Sequence, residues 1–531
     1  MLIEGRKKMS LIGNLFNRTN DLVSEVKKEI KQVYLSDDRP WVVGYSGGKD
    51  STAVVQLVFS ALSEMEPHQL TKKVYVISSD TLVETPLIVQ SINTTLNRIE
   101  MKAKELNLPI ETKKVKPLID QSFWVNIIGK GYPSPNQQFR WCTDRMKIDP
   151  ANRFIKEKVD TFGEVIMVLG VRESESASRA SSMKSHTIDG ELLMKHSTLS
   201  NAFVYAPIRE FNLDHVWDYL LEESSPWGDN NSELYRLYSE SSGGECPLII
   251  DQSIKESAGS CGNSRFGCWV CTVVNEDKAL TGFINNGQDW LRPLLEFRNW
   301  LAEIRDNRSK RMKYRMNGQI YFNKLNVIEE NGQLYVLVPK KGHRLEEKKL
   351  IDIDKDIIVS KEHLKETIEK EKIDLSRGDI PDIYVYDDEG NYYELGLGPF
   401  TLEARKEIIM RLLKLQKEFK NNDDPNYKLI LEDELKEIRK IWFTHGDLED
   451  SLPKIYYDVF GVNLEWEEEN NLHMTEDELE QLRQICSEEN IDFNLMKKLL
   501  IIQKGYEGYK IKRGLTDKIS SALRQQYLHM Q

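Results

Sequence analysis

The sequence predicts an α/β protein: a parallel-sheet domain, then a cysteine-rich loop, then a mixed, mainly helical C-terminal extension. Three observations predict it. Apolar runs at 41–45, 73–79 and 164–171 alternate with stretches of helical periodicity, which implies right-handed crossovers and a sheet covered on both faces. The run at 41–45 breaks at Ser46-Gly47-Gly48-Lys49-Asp50-Ser51, just before an apolar helical segment. Four of the six cysteines fall between Cys246 and Cys271, in a stretch rich in Gly and Ser.

Each element follows from its pattern. Leu22, Val23, Val26, Ile30 and Val33 recur at helical spacing over 19–34. Trp41–Tyr45 reads as a strand, Ala53–Leu62 as a helix, 73–79 as a strand and 86–106 as a long amphipathic helix. Residues 110–115 read as a further strand, 149–161 as a helix and Glu164–Val171 as the clearest buried strand. From 239 to 275 periodicity is lost. Two β-prone runs, QIYFNKLNVI and QLYVLVP, flank Asn331-Gly332, a hairpin turn signal. Residues 345–380 are highly charged and are expected to expose much of their surface. From Leu402 onward helical periodicity dominates, and Thr475 with Glu478 matches a capping box. The expected organisation is a helical segment over 1–35, the sheet domain over 36–240, a cluster region over 241–300, a β-containing basic extension over 301–400 and a helical region over 401–531.

Composition narrows the class. The chain has 531 residues and 73 Lys+Arg against 85 Asp+Glu, a formal charge of −12. Hydrophobic residues make up 40% and charged residues 30%, enough to build a core, so global disorder is excluded. No apolar run approaches the roughly 18 residues of a membrane span. The start MLIEGRKKMS lacks an apolar signal core. The expectation is therefore a cytoplasmic protein with no membrane partner. Six cysteines are too few for a disulfide scaffold, so they read as thiols, metal ligands or small buried groups. Net acidity argues against coating nucleic acid by bulk charge but leaves room for a local basic groove.

The glycine loop lies where phosphate binding needs it, between a strand and a helix. Two glycines let backbone N–H groups turn toward an anion, Lys49 can neutralise phosphate, and Ser46 and Ser51 add donors. It is not a Walker loop, because Val43 and Asp50 stand where Gly and Ser/Thr would be required. Arg172 and Arg179 end the best strand and open the next loop, where ligands of open α/β sheets bind; guanidinium forks suit phosphate or sulfate, and pairing with Glu173 and Glu175 is the alternative. Cys142 stands between Arg140 and Arg145, whose charges favour a thiolate; a buried inert thiol beside Trp141 is the alternative. Cys246, Cys261, Cys268 and Cys271 are spaced C-x14-C-x6-C-x2-C. Four thiolates suit structural zinc or an iron–sulfur cluster, and spacing alone leaves both open. Cys486, in a helical segment, reads as a core thiol. Arg305, Arg308, Lys310, Arg311, Lys313 and Arg315 crowd beside Tyr314, with Lys340, Lys341, His343 and Arg344 after the hairpin. That strip could track a nucleic-acid backbone or be a solvated face. Lys504–Arg524 is also basic.

These motifs resemble a known family. Ser46–Ser51 looks like the pyrophosphate-binding loop of the ATP pyrophosphatase superfamily, with its adenine-nucleotide-hydrolase-like fold. Arg140–Lys147 (RWCTDRMK), Leu169–Ala180, Thr81 with Glu84-Thr85 after Asp80, and Pro207-Ile208 before Trp217 and Tyr219 resemble phosphoadenylyl-sulfate reductases. The likeness covers roughly 35–275. It implies ATP with Mg²⁺, held by Ser46, Gly47, Gly48, Lys49, Asp50, Ser51 and Thr52, and release of AMP and pyrophosphate. It also implies Lys49 and Asp50 as catalytic groups, with Arg145, Lys147, Arg172 and Arg179 on phosphate or substrate. Relatives among the adenylyl-sulfate reductases favour a 4Fe–4S cluster over zinc on the four cysteines. The domain plus an internal four-cysteine loop, a separate Cys142 and a long C-terminal extension resembles the sulfurtransferase component of bacterial Dnd-type DNA-phosphorothioation systems. That resemblance implies adenylation of a DNA phosphate oxygen and its replacement by sulfur through Cys142. The implied partners are DNA, a cysteine desulfurase and the system's ATPase and DNA-binding or nicking components. A sulfonucleotide reductase, a tRNA thiolation enzyme and a non-catalytic scaffold are the competing expectations.

Overall fold

The structure is a computed structural model that describes residues 20–175, 177–186, 192–196, 198–240, 267–339, 346–352, 355–419, 427–445, 447, 449–466, 476–489, 491, 493–504, 506 and 514–523. Cys246, Cys261, Lys340, Lys341, His343, Arg344, Thr475 and the Arg179 side chain lie outside the described residues. The chain divides into two compact units: 1–123 with 135–299 and 419–429, and 124–134 with 300–418 and 430–531.

The first unit carries the expected parallel sheet. Its strands are β1 (Trp41–Gly44), β2 (Val74–Ser79), β3 (Ile110–Val115), β4 (Val165–Val168), β5 (Leu193–Lys195) and β6 (Ala202–Tyr205), in the order β3-β2-β1-β4-β6-β5. All neighbours are parallel except β5, which runs antiparallel to β6. Trp41 pairs with Val74 on one side and Ile166 on the other. Every residue of β1, β2 and β4 is buried, which explains their unbroken apolar runs: helices cover both faces. The helices that matter for the site are α1 (Lys49–Ser63), α2 (Pro86–Glu105), α3 (Asp149–Phe162), α4 (Leu213–Glu222), α5 (Asn231–Glu240) and α6 (Arg292–Ile304). Ala151, Phe154 and Ile155 of α3 pack on Val42, Tyr75, Val165 and Met167. The sheet grows from β1 to β2 and β3 on one side and to β4 on the other. That reversal opens a crevice outside the carboxyl ends of β1 and β4, where ligands of such sheets sit. No described helix is long and apolar enough to cross a membrane.

The second unit is mixed. A three-stranded sheet runs β10 (Glu346–Leu350), β9 (Gln333–Pro339), β8 (Val327–Glu330), and a four-stranded one runs β11 (Ile357–Ser360), β12 (Ile383–Tyr386), β13 (Tyr392–Leu395), β7 (Phe322–Leu325). The predicted hairpin forms: Glu330 pairs with Gln333, and Asn331 and Gly332 both take positive φ, 54° and 75°, as a two-residue turn matching strand twist requires. The β-prone run QIYFNKLNVI splits between the two sheets after Leu325. In the charged stretch after 345, Ile351 and Leu364 are buried. The helices α7 (Leu402–Glu418), α8 (Glu432–Thr444) and α9 (Ser451–Phe460) follow. Cys486 is buried, as expected of a core thiol.

Two features here add to the sequence reading. Residues 124–134 fall within the span expected of the sheet domain but belong to the second unit. Their π-helical turn Val125–Gly129 is held by Trp442 Nε1 donating to the Ile128 carbonyl at 2.6 Å and Arg405 donating to the Gly129 carbonyl at 2.6 Å. The basic strip is no open groove either. Arg308 pairs with Asp382 at 2.5 Å and Glu394 at 3.1 Å, and Lys310 with Glu407 at 2.5 Å. Arg311 is buried, donates to the Gly398 carbonyl and lies over Phe400. Lys313 is buried and donates to the Arg308 carbonyl at 2.6 Å. Arg315 covers Tyr321 at 4.4 Å, and Arg305 meets Asp306 at 3.0 Å. These cations are spent on internal acids, carbonyls and rings, so the described part of the strip, 305–315, reads as structural.

Candidate functional site

The glycine loop is built from its own hydrogen bonds. After β1 the chain passes Ser46 and Gly47, whose φ is +73°, and enters α1 through Gly48, which is extended and has no side-chain cap. Ser46 N–H donates to Ser51 Oγ at 3.2 Å, and the two hydroxyls lie 3.1 Å apart. Ser51 Oγ and Thr52 Oγ1 each donate to the Gly48 carbonyl at 2.9 Å. These bonds curl the loop around the start of α1, where backbone N–H groups and the helix dipole favour an anion.

Charge is arranged beneath it. Asp50 is shared: Lys49 Nζ reaches one carboxylate oxygen at 2.8 Å and Arg172 Nε the other at 2.5 Å. All three are buried, Lys49 at 2%, Asp50 at 6% and Arg172 at 4% exposure. The carboxylate therefore fixes where both cations sit. Arg172 also donates to Ser174 Oγ at 3.1 Å, which donates in turn to the Phe211 carbonyl. Arg172 thus pairs with Asp50, not with Glu173 or Glu175. Gly170 lets the end of β4 approach: a β-carbon there would lie 2.8 Å from the Asp50 carbonyl carbon, closer than real side chains tolerate.

A second chemistry lies at the end of β2, the strand next to β1. The loop after it is strained, with Leu82 at φ +66° and its N–H held by the Asp80 carboxylate at 3.1 Å. The Cys268–Cys271 turn docks on this loop. Trp269 N–H donates to the Val83 carbonyl at 3.0 Å, Thr85 Oγ1 donates to the Gly267 carbonyl, and the Thr81 hydroxyl lies 3.4 Å from Cys268 Sγ. From below, the buried guanidinium of Arg298 donates to the carbonyls of Cys271, at 2.7 Å, Asn275 and Val274. Cys142, on the short helix Trp141–Thr143, faces the same place. Cys142, Lys147, Cys268 and Cys271 line one pocket with Phe123 and Met146. A π-helical turn, Asp144–Ile148, carries Arg145 and Lys147, and Arg145 lies over Trp141 at 6.0 Å.

The expected thiolate is corrected. Burial pushes the Cys142 thiol up to about 12, Cys271 adds to this and Lys147 only partly offsets it. Arg140 and Arg145 flank it in sequence, yet desolvation outweighs charge. Burial raises Cys268 too. Among the described residues no group of three His, Cys, Asp or Glu side chains is drawn together tightly enough to hold a metal. The donors nevertheless suit one: soft thiols whose protons a bound cluster or zinc would displace. Arg298 shapes the site without a sequence signal, while Gly170 and Thr81 lie in segments the sequence marks, Leu169–Ala180 and the stretch after Asp80.

Residues 40–274 match the phosphoadenosine phosphosulfate reductase domain. An uncharacterized protein of Methanocaldococcus jannaschii is 28% identical over 245 residues, 46% of this chain and 38% of that one, so the chain spans about two fifths of that relative's length. Among solved structures, the FMN adenylyltransferase of Candida glabrata in complex with FAD and pyrophosphate is 15% identical, covering 39% of this chain and 65% of its own, with a TM-score of 0.24. The U34-tRNA thiolase of Methanococcus maripaludis with its 4Fe–4S cluster is 13% identical, covering 54% and 80%, with a TM-score of 0.26. The NH3-dependent NAD synthetase of Campylobacter jejuni is 14% identical, covering 54% and 96%, with a TM-score of 0.23. Over residues 40–274, therefore, the chain is similar to the phosphoadenosine phosphosulfate reductase domain.

Proposed function

We propose that this protein is an ATP pyrophosphatase-type sulfurtransferase that places sulfur on a DNA backbone phosphate. The observation that carries the reading is the adjacency of two chemistries in one sheet. The glycine loop, which this reading takes to hold phosphate, follows β1, and a pocket with three thiols is docked on the loop after β2, its immediate neighbour. In the first step a non-bridging DNA phosphate oxygen attacks the α-phosphorus of ATP, and pyrophosphate leaves. Lys49 and the loop amides stabilise charge on the departing oxygens. In the second step the terminal sulfur of a Cys142 persulfide, loaded by a cysteine desulfurase, attacks the activated phosphorus and AMP leaves. A second thiol then attacks the Cys142 sulfur; the two thiols leave as a disulfide and the transferred sulfur stays on phosphorus. Mg²⁺, when bound, neutralises the polyphosphate. A 4Fe–4S cluster would be held by Cys246, Cys261, Cys268 and Cys271, and when bound it supplies soft-sulfur and electron-transfer chemistry beside Cys142. The system's ATPase and DNA-binding or nicking components are the further partners of this reading, and the cytoplasm its place.

The domain match favours one second reading, reduction of an adenylylated sulfate. AMP and pyrophosphate release, assayed with DNA, tRNA and adenylyl sulfate, separates the two. Release stimulated by DNA, with phosphorothioate in nuclease digests by mass spectrometry, supports the first. Sulfite formation from adenylyl sulfate with a thiol reductant, and no effect of DNA, replaces it with the second.

A further inference from the structure

The first N–H of α1, that of Lys49, is the donor a phosphate would be expected to take, because the first turn of a helix has no carbonyl partners for its amides. Here an oxygen already occupies it. Tyr238, near the end of α5, accepts that N–H at its hydroxyl at 3.0 Å. The same ring lies 5.7 Å from Lys49 Nζ, so one side chain engages both the amide and the ammonium of the loop's key residue. Tyr238 is buried, and Trp217 of α4 meets its ring edge-on at 5.1 Å and 80°. The approach depends on Gly48: a β-carbon there would lie 3.0 Å from the Tyr238 hydroxyl. A tyrosine 189 residues away in sequence has thus been brought to a helix entry whose N-cap, Gly48, offers no side-chain cap.

We propose that Tyr238 is an affinity-setting residue of the nucleotide site, its hydroxyl standing in for a phosphate oxygen until pyrophosphate or ATP takes the Lys49 amide. The inference rests on reading Ser46–Ser51 as the nucleotide loop. An incoming phosphate oxygen exchanges one hydrogen bond for another, so the hydroxyl lowers affinity without contributing to the chemical step. The positive charge of Lys49 stays where the nucleotide needs it, because Asp50 and the ring fix it in both states.

Tyr238→Phe keeps the ring and its packing against Trp217 and removes only the competing oxygen. Titration of full-length protein with inorganic pyrophosphate, by calorimetry, should show binding about two- to tenfold tighter than wild type, the range of one ordinary hydrogen bond. In steady-state ATP turnover KM should fall by a similar factor while kcat holds, a split that general loosening of the fold would not produce. The melting temperature checks that the variant is folded, and Trp217→Phe, which keeps the hydroxyl, should leave pyrophosphate affinity near wild type. Unchanged or weaker pyrophosphate binding by folded Tyr238→Phe, with normal binding by wild type, overturns the inference alone. Absence of pyrophosphate binding by wild type as well overturns the nucleotide-loop reading beneath it.

Discussion

Residues 46–51 and residues 305–315 look alike in the sequence, each a short stretch dense in polar or basic groups, and they end in opposite roles. In the loop, the bonds that curl the backbone run between residues one to five apart, Ser46 to Ser51, Ser51 to Gly48 and Lys49 to Asp50, and the distant Arg172 and Tyr238 are added to that frame. In the basic strip, Arg305 meets the adjacent Asp306, but the other acids are far away: Arg308 finds Asp382 and Glu394, 74 and 86 residues on, and Lys310 finds Glu407, 97 residues on. A cluster whose geometry is closed locally can be read as a site. A cluster whose counter-ions arrive from the rest of the fold cannot, because nothing nearby shows that its charge is already matched.

The comparison breaks first at Lys49. Lys49→Ala should lower ATP-dependent pyrophosphate release by about 10²- to 10³-fold, the scale of losing one preorganised charge-stabilising donor. Asp50 keeps Arg172 as partner, so the melting temperature should change little. Pyrophosphate release within about threefold of wild type would place the loop in the same class as the strip. The thiol pocket comes next. Cys268→Ser should lose the iron and the absorbance near 400 nm that the anaerobically prepared holoprotein is expected to show (roughly where thiolate-bound iron–sulfur centres absorb). Cys142→Ser should keep both and lose phosphorothioate formation. Stoichiometric zinc without iron, or a fully active Cys142→Ser, would remove the cluster or the relay.

Two substitutions probe stability on each side. Gly170→Ala pushes a methyl group against the Asp50 backbone and should destabilise the first unit by about 1–3 kcal/mol, the usual cost of overpacking. It should also weaken pyrophosphate binding, since the loop must move. Arg308→Ala takes the guanidinium from Glu394 and leaves Asp382 only Lys349, at 3.7 Å, and should destabilise the second unit by about 1–2 kcal/mol, below the range for a fully buried pair because the groups are part-exposed. It should leave the salt dependence of DNA affinity as it was. A shallower salt slope in Arg308→Ala would restore the strip as a phosphate-contacting surface.

Legibility follows the same division. β1, β2 and β4 lie within the runs that read as strands, because a strand buried on both faces announces itself by an unbroken apolar run; β3, with the sequence IETKKV, lies within the run read as a strand without that signal. β6, Ala202–Tyr205, escapes that reading although it is no shorter than β1 or β4. The glycine loop and the Cys268–Cys271 pair are legible as contiguous motifs. The convergence of Cys142 on that pair is not, since it depends on Trp269 and Thr85 docking the turn at the end of β2. Nor is the Cys142 thiol's character: charge is visible in a sequence, desolvation is not, and here desolvation dominates. Residues 124–134 escape for a related reason, their partners Arg405 and Trp442 lying about 270 to 320 residues further on.

The finest test of the comparison is whether a strip cation behaves as a buried group. Burial, with Arg308 beside it, pulls the Lys313 ammonium from 10.5 down to about 8, while its hydrogen bonds run to the Arg308 and Arg311 carbonyls. The folded protein therefore releases this proton before the unfolded chain does. Between about pH 8 and 10.5 the unfolded state holds more protons, so stability of the second unit should rise with pH, by about 1–3 kcal/mol in all. Below pH 8 both states are charged and the whole penalty is present. The measurement is the difference in unfolding free energy between wild type and Lys313→Met across that window, which cancels tyrosines and cysteines common to both. A difference that stays flat from about pH 8 to 10 would mean that Lys313 titrates as a solvated surface lysine, and the strip would have to be read again as charge facing water.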